Sequence, residues 1–338
     1  MQTATSSRFQ YLVVCCALVA FGLLAARASD FLWPLSQIGA SYGSSVIIFT
    51  AVCLLSHFIT LRILYTRGVR SPSKEPLAWE KSYLQDIPWR DTLIAIGGLI
   101  MTMTCFTVFK ARVVGMNGYD YDAIFAKWDL AIFGKQPWEI THAIFPDAQT
   151  TALFDIIYHP AFLPMLIGYL VCASARSKPA LRYTYMASFL VGFIVIGMVM
   201  AAAMSSAGPV YDDILFVTGG DFAPLISHLA AQGEEVPNMS FLYAQKYLLA
   251  LQQSDHAGFG GGISAMPSMH VVMAFLWTLA GWHLNRAIGV LMTVYALLIW
   301  MISVHLGWHY FVDGLVGIIV ISLIWVTIGR VMGLYPIR

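Results

Sequence analysis

Two short stretches of this sequence hold residues whose types and spacing suit chemistry on a phosphate. One reads Pro267-Ser268-Met269-His270, the other Ser303-Val304-His305-Leu306-Gly307-Trp308-His309-Tyr310-Phe311-Val312-Asp313. His309 and Asp313 are four residues apart, which stacks side chains on one helical face, so the carboxylate can hold one ring nitrogen while the other stays free to attack. That is an oriented nucleophile. Pro267 suits the first turn of a helix, and the free N–H groups there, with Ser268, form a seat for an anion. One turn in, His270 is placed to protonate a leaving oxygen as a general acid. The same spacing leaves a second reading open, in which His305, His309 and Asp313 bind a metal from one helix face. That reading gives the Pro267–His270 segment no role.

The elements that must hold these groups lie in a bilayer. Of 338 residues, 59% are hydrophobic and only 11% charged, with a mean hydropathy of +0.72, whereas a soluble domain carries about 25% charged residues. A net charge of +1 gives no general attraction to nucleic acid. Apolar runs of about 20 residues, enough to cross the hydrocarbon, occur near 9–26, 44–66, 92–110, 151–173, 184–205, 265–285, 287–306 and 312–333. The pattern predicts an all-α, polytopic membrane protein of about eight transmembrane helices. Thirteen of the nineteen Lys and Arg fall in the termini and loops of one side. This places both termini in the cytoplasm and the histidine segments on the extracytoplasmic side, periplasmic or lumenal.

Two loops on that outer side are long. In 111–150, Tyr121, Ile124, Phe125, Trp128, Ala131 and Ile132 recur at helical spacing, with Asp120, Asp122, Lys127 and Asp129 opposite, which predicts an interfacial helix. In 206–264, an amphipathic stretch from Phe241 to Leu251 precedes Gly258-Phe259-Gly260-Gly261-Gly262, a segment able to gate a site or simply to connect. Ionisable groups within spans are costly. Asp155 and His159, on one face of the fourth span, either line a headgroup pocket or form a hydrogen-bonded pair between helices. The remaining histidines, including His142 and His228, have no partner visible in the sequence and are read as structural or solvated. All five cysteines fall inside spans, where a thiol is a small apolar group.

The two reactive segments resemble the type 2 phosphatidic acid phosphatase superfamily, whose members carry P-S-x-H and, later, a histidine with an aspartate four residues on. Within it the chain is most similar to the inositol phosphorylceramide synthase branch, whose H-Y-x-x-D motif matches His309-Tyr310-Phe311-Val312-Asp313. Weaker similarity covers most of residues 92–325, through Asp129 to Gly134 with Pro137-Trp138, through Tyr158-His159, and through Gly208-Pro209-Val210-Tyr211. The resemblance implies a six-helix catalytic core within 91–338, preceded at 1–90 by a two-helix segment and a cytoplasmic loop. It implies a phosphohistidine on His309, catalytic roles for His270, His309 and Asp313, and substrate contacts from Tyr158, His159, Gly208, Pro209 and Tyr211, to which the anion seat adds Ser268 and the fourth-span face adds Asp155. No cofactor and no metal are implied.

Phosphatases of that superfamily also carry a K-x6-R-P motif and an arginine six residues before the nucleophile. Here Ser303 stands at the latter position and the former has no match. Another cation must then meet the phosphate, and His305, one turn before His309, and Lys110, Arg112 and Lys246 are the candidates. Lipid phosphotransferases tolerate such a departure. The expected activity is therefore transfer of a phosphorylated polyol or sugar headgroup from a phospholipid donor to a lipid acceptor. Hydrolysis of phosphatidic acid, a prenyl phosphate or a sphingoid phosphate would use the same residues. A lipid transporter with a polar cavity is a third reading, one that needs no histidine pair.

Overall fold

The computed structural model describes residues 2–27, 35–44, 88–111, 118–174, 177–215, 217–253 and 261–336, with positions 32 and 47. Its principal elements are α1 (Gln2–Arg27), α2 (Trp89–Phe109), α3 (Asp122–Phe133), α4 (Pro137–Ile144), α5 (Ala148–Tyr158), α6 (Phe162–Ser174), α7 (Pro179–Gly192), α8 (Ala223–Glu235), α9 (Ser240–Gln253), α10 (Met269–Leu284), α11 (Arg286–His305) and α12 (Phe311–Val331). Helix α7 runs on through π-helical turns at Phe193–Met200. Among the described residues there is no strand. Six helical segments there are long and apolar enough to cross a membrane: Ala4–Ala26, Trp89–Phe109, Ala148–Ala173, Pro179–Ala203, Arg286–His305 and Phe311–Val331. Helix α10 is a shorter apolar helix. The chain is a polytopic all-α membrane protein, and of the expected spans only 44–66 falls almost wholly outside the described residues.

Packing follows from where each helix is apolar. Helix α7 and its π-helical extension bury nearly every side chain and sit at the centre, whereas α1 and α11 leave Tyr11, Leu18, Leu291 and Leu297 exposed, as helices facing lipid do. Helix α10 packs along α11 and α12, α12 along α7, and α1 along α2 and α7. One end of the bundle is tied by Asp91, which accepts hydrogen bonds from Ser6 (2.8 Å), Gln10 (2.6 Å) and Tyr183 and lies 3.8 Å from Arg182. There too, Arg8 donates to the Val331 carbonyl at 3.0 Å. At the opposite end, where α2 and α11 finish and α10 and α12 start, the shorter helices form a cap. Helix α3 rests on α12, α4 on α11, and α8 and α9 on α5.

Of the polar residues in and just before α3 expected to meet water, Asp120 and Lys127 do so but Asp122 and Asp129 are turned into the protein beside Phe125. Asp122 and Asp129 are buried, while Tyr121, Ile124, Trp128 and Ile132 are exposed. The reason is that both carboxylates find backbone N–H donors, which compensate their desolvation.

Candidate active site

Helix α11 stops at His305 because Gly307, at φ +70°, adopts the left-handed conformation that ends helices. The chain then folds back in a tight loop, with the N–H groups of Trp308 and His309 donating to the Ser303 carbonyl at 3.0 and 3.3 Å. Tyr310 is the N-cap of α12. His309 therefore does not share a helix with Asp313, and the two meet through capping geometry. The Asp313 carboxylate accepts the Tyr310 N–H at 3.1 Å and stands 3.2 Å from His309 Nδ1. Asp313 is fully buried and His309 is 8% exposed. With Nδ1 engaged, Nε2 is the nitrogen left for chemistry.

Two carboxylates absent from the expected site hold this loop in place. Asp129 accepts the N–H groups of Phe311 (2.7 Å) and Val312 (3.0 Å) at the start of α12, satisfying donors that a helix leaves free. Asp122 accepts from the N–H groups of Ala207 (2.7 Å) and Gly208 (2.8 Å) and from the Tyr310 hydroxyl (2.9 Å). Burial raises Asp122 to about 6 and Asp129 to about 7, and the backbone donors oppose the rise. Their separation of seven residues, two turns of one helix face, is the signal that could have paired them.

His270 reaches the same place from α10, which begins at Met269 with Ser268 as its N-cap. Its ring lies between Tyr158 (centroids 4.5 Å apart) and Phe162 (4.1 Å), and the Tyr158 hydroxyl is 3.2 Å from Nδ1. His270 and His309 both line one cavity of about 900 Å³. Lys110, His159, Tyr211, Ser240, Tyr243 and Tyr247 add polar groups to its wall, and Met103, Phe106, Phe162, Leu163 and Leu166 supply an apolar side. His309, Lys110 and His159 all lie within electrostatic reach of His270.

Lys110 sits one residue past the end of α2, in the cavity wall, and burial lowers its ammonium to about 8. His309 is pushed down to about 3, first by burial and then by the Lys110 charge, with the Ala265 backbone opposing the shift. At neutral pH the arrangement presents an uncharged imidazole beside an ammonium, which suits attack on an anionic phosphorus centre. Gly262 packs against the backbone that carries this cation. A Cβ there would come within 2.7 Å of the Lys110 carbonyl carbon and 2.8 Å of Ala111 N, at φ +91°. Gly262→Ala is expected to cost roughly 1–3 kcal/mol of stability through backbone strain and to raise KM by displacing Lys110. Thermal unfolding and steady-state kinetics of the variant measure both effects.

The structure brings Lys110, Tyr158, His159, Tyr211, His270 and His309 to the cavity wall, with Asp313 behind His309. It does not bring His305 there. Because α11 ends at that residue, its ring points away from His309, stacks on His142 (centroids 3.8 Å apart) and bonds Thr151 Oγ1 at 2.9 Å. Asp155 is also outside the cavity wall, its carboxylate accepting the Ser240 N–H at 2.5 Å at the start of α9. Ser268 is fully buried and donates its N–H to the Asp313 carbonyl oxygen at 3.3 Å. Gly208 and Pro209 lie beneath the loop that carries His309: a Cβ on Gly208 would be 2.6 Å from the Trp308 oxygen, and the Val210 N–H donates to the Gly307 carbonyl at 3.0 Å. Lys246 is exposed on α9, outside the cavity wall, and Arg112 lies outside the described residues.

The partner of His305 belongs to a cluster that the sequence did not reveal. His142, on α4, donates its Nε2–H to the His305 carbonyl (2.9 Å), since a carbonyl only accepts, and meets His228 of α8 edge to face at 4.7 Å. Burial, with His228 nearby, lowers His142 from 6.5 to about 4 although the His305 carbonyl opposes the shift. The depressed value makes its stabilising contribution complete above pH 6.5 and progressively lost as pH falls toward 4. The thermal midpoint of the purified protein is expected to drop across that interval, and less so in His142→Phe, which keeps a stacking ring. Scanning calorimetry between pH 7.5 and 4 would check this, with the window set by the two values above.

Among the described residues no three His, Cys, Asp or Glu side chains are grouped to hold a metal ion, and the departure of His305 breaks up the trio that a metal reading requires. A family model described as the PAP2 superfamily matches residues 124–327, a stretch that includes His270, His309 and Asp313 and leaves out Lys110. No curated protein and no solved structure matches the chain.

Proposed function

The chain belongs to the PAP2 superfamily, which supports a lipid phosphatase or phosphotransferase type of activity, and from that premise we propose that it is a membrane lipid phosphotransferase. The observation that carries this reading is the convergence of two imidazoles from separate helices on one cavity, with a carboxylate behind one of them and an ammonium beside both. His309 Nε2 attacks the phosphorus of a phospholipid donor, and Asp313 stabilises the positive charge that develops on the ring. His270 protonates the departing diacylglycerol oxygen. The phosphorylated headgroup then passes from His309 to the hydroxyl of a second lipid. Lys110 faces the phosphate oxygens in place of the absent arginines.

Hydroxyls and rings of Tyr211, Tyr243 and Tyr247 beside the reactive groups fit a polyol or sugar headgroup, and the Met103–Phe106 and Phe162–Leu166 side fits acyl chains. The end that carries Arg8, Arg90, Lys178, Arg182, Arg286 and Arg330 lies opposite the reactive end, which supports a reading with the termini in the cytoplasm and the site on the extracytoplasmic side. The test is to incubate the purified full chain with isotopically labelled polyol phospholipids, with and without diacylglycerol or ceramide, and to follow products by mass spectrometry. Transfer predicts a new phospholipid only when acceptor is present. Free phosphate or phosphorylated headgroup released without acceptor would replace this proposal with hydrolysis, and no turnover of any donor would replace it with transport.

A further inference from the structure

Both reactive imidazoles have Nδ1 occupied, but by different chemistry. His309 faces a carboxylate, which can only accept. His270 faces the phenol of Tyr158, 3.2 Å away, and a hydroxyl can donate or accept. Tyr158 is 4% exposed, and its ring and that of Phe162 flank the imidazole, so turning His270 would break the hydrogen bond and both ring contacts. The difference matters because a carboxylate raises the proton affinity of an imidazole, which helps a nucleophile and hinders an acid. A neutral phenol orients the ring without holding its proton.

We propose that Tyr158 is a positioning residue for proton transfer at His270, its hydroxyl occupying Nδ1 so that every proton exchanged with substrate passes through Nε2. The inference rests on the acid role given to His270 above. In the first half-reaction His270, which takes up a proton at Nε2 from solvent as the anionic donor binds beside it, is an imidazolium whose Nδ1–H donates to the Tyr158 oxygen. As the P–N bond to His309 forms and the P–O bond to the leaving alcohol breaks, that oxygen keeps the electron pair and takes the Nε2 proton. His270 is left neutral, with its Nδ1–H still on Tyr158 and an Nε2 lone pair toward the cavity. In the second half-reaction this lone pair takes the proton of the acceptor hydroxyl as its oxygen bonds to phosphorus, and the electrons of the P–N bond return to His309. Both histidines end as they began.

The deciding variant is Tyr158→Phe in the full chain, because it keeps the ring stack and deletes only the hydroxyl. It is assayed on two phosphodiester donors, one with a lipid alcohol as leaving group and one with p-nitrophenol, which departs without protonation. The lipid-alcohol donor is expected to lose about 10- to 100-fold in kcat/KM, which reports the first half-reaction alone, and the p-nitrophenyl donor less than about threefold, within the range that general acid catalysis contributes. Nitrogen-15 spectra of histidine-labelled protein should show His270 as the Nδ1–H tautomer in the neutral wild-type protein and as a tautomer mixture in the variant. Equal losses on the two donors, or no loss on either, would overturn the role of Tyr158. His270→Ala separates the two layers of inference. If it too affects both donors equally, the acid assignment fails and takes Tyr158 with it; if it discriminates and Tyr158→Phe does not, only the Tyr158 inference falls.

Discussion

His309→Ala is expected to lower kcat by about 10⁵- to 10⁶-fold, the scale seen when a covalent nucleophile is deleted from a catalytic unit. His270, on another helix, faces the Tyr158 phenol rather than a carboxylate and lacks the partner that supports a developing imidazolium on His309. The fold should survive. Asp313 keeps its bond from the Tyr310 N–H, and Phe311 and Val312 keep Asp129, so the start of α12 is still capped. A quench under alkaline conditions, which preserve phosphohistidine, followed by peptide mapping should find phosphate on residue 309 of the wild type and none in the variant. Turnover within about tenfold of wild type would remove His309 from the covalent role.

Lys110→Met is expected to lower kcat/KM by about 10²- to 10³-fold, the usual consequence of deleting a charge that stabilises a transition-state oxyanion. The pH dependence gives a sharper check. Burial lowers the Lys110 ammonium to about 8, so the free enzyme carries this charge below that pH and loses it above. The wild-type kcat/KM should therefore fall as pH rises past about 8, Lys110→Arg should extend the plateau upward, and Lys110→Met should lack the limb altogether. A basic limb that persists unchanged in Lys110→Met would show that another group binds the phosphate. The matched stretch of the family begins at residue 124, so this cation comes from outside it, and the result would show whether the helix before that stretch completes the site.

The spans were legible because bilayer thickness fixes the length of an apolar run, and that constraint is read residue by residue. The reactive pair was legible for an instructive reason. Spacing four residues apart brought His309 and Asp313 together on paper as neighbours on a helix, and they are neighbours, but through an N-cap and the third residue of α12. Applied to His305 the same rule failed. Gly307 ends α11 between the two histidines, and a glycine two positions past His305 was itself the available stop signal. Asp122 and Asp129 were assigned to water because periodicity reports polarity and cannot distinguish solvent from a row of buried N–H groups. The contacts of His142 and His228 with each other and with His305 join residues far apart in sequence, which no local pattern records. Lys110 was recognisable as one of several cations, but only the close approach of Gly262 and the cavity wall gave it a place.

Helix α3 also dictates an order of assembly. Its two carboxylates are made early in synthesis, yet their partners at Ala207–Gly208 and Phe311–Val312 emerge much later. Until the last span is in the bilayer, Asp129 has no backbone donors and no reason to leave water. The cap over His309 is thus held by contacts between segments far apart in the chain rather than within one of them: α3 has donors for both carboxylates only with residues 207–208 and 311–312 in place.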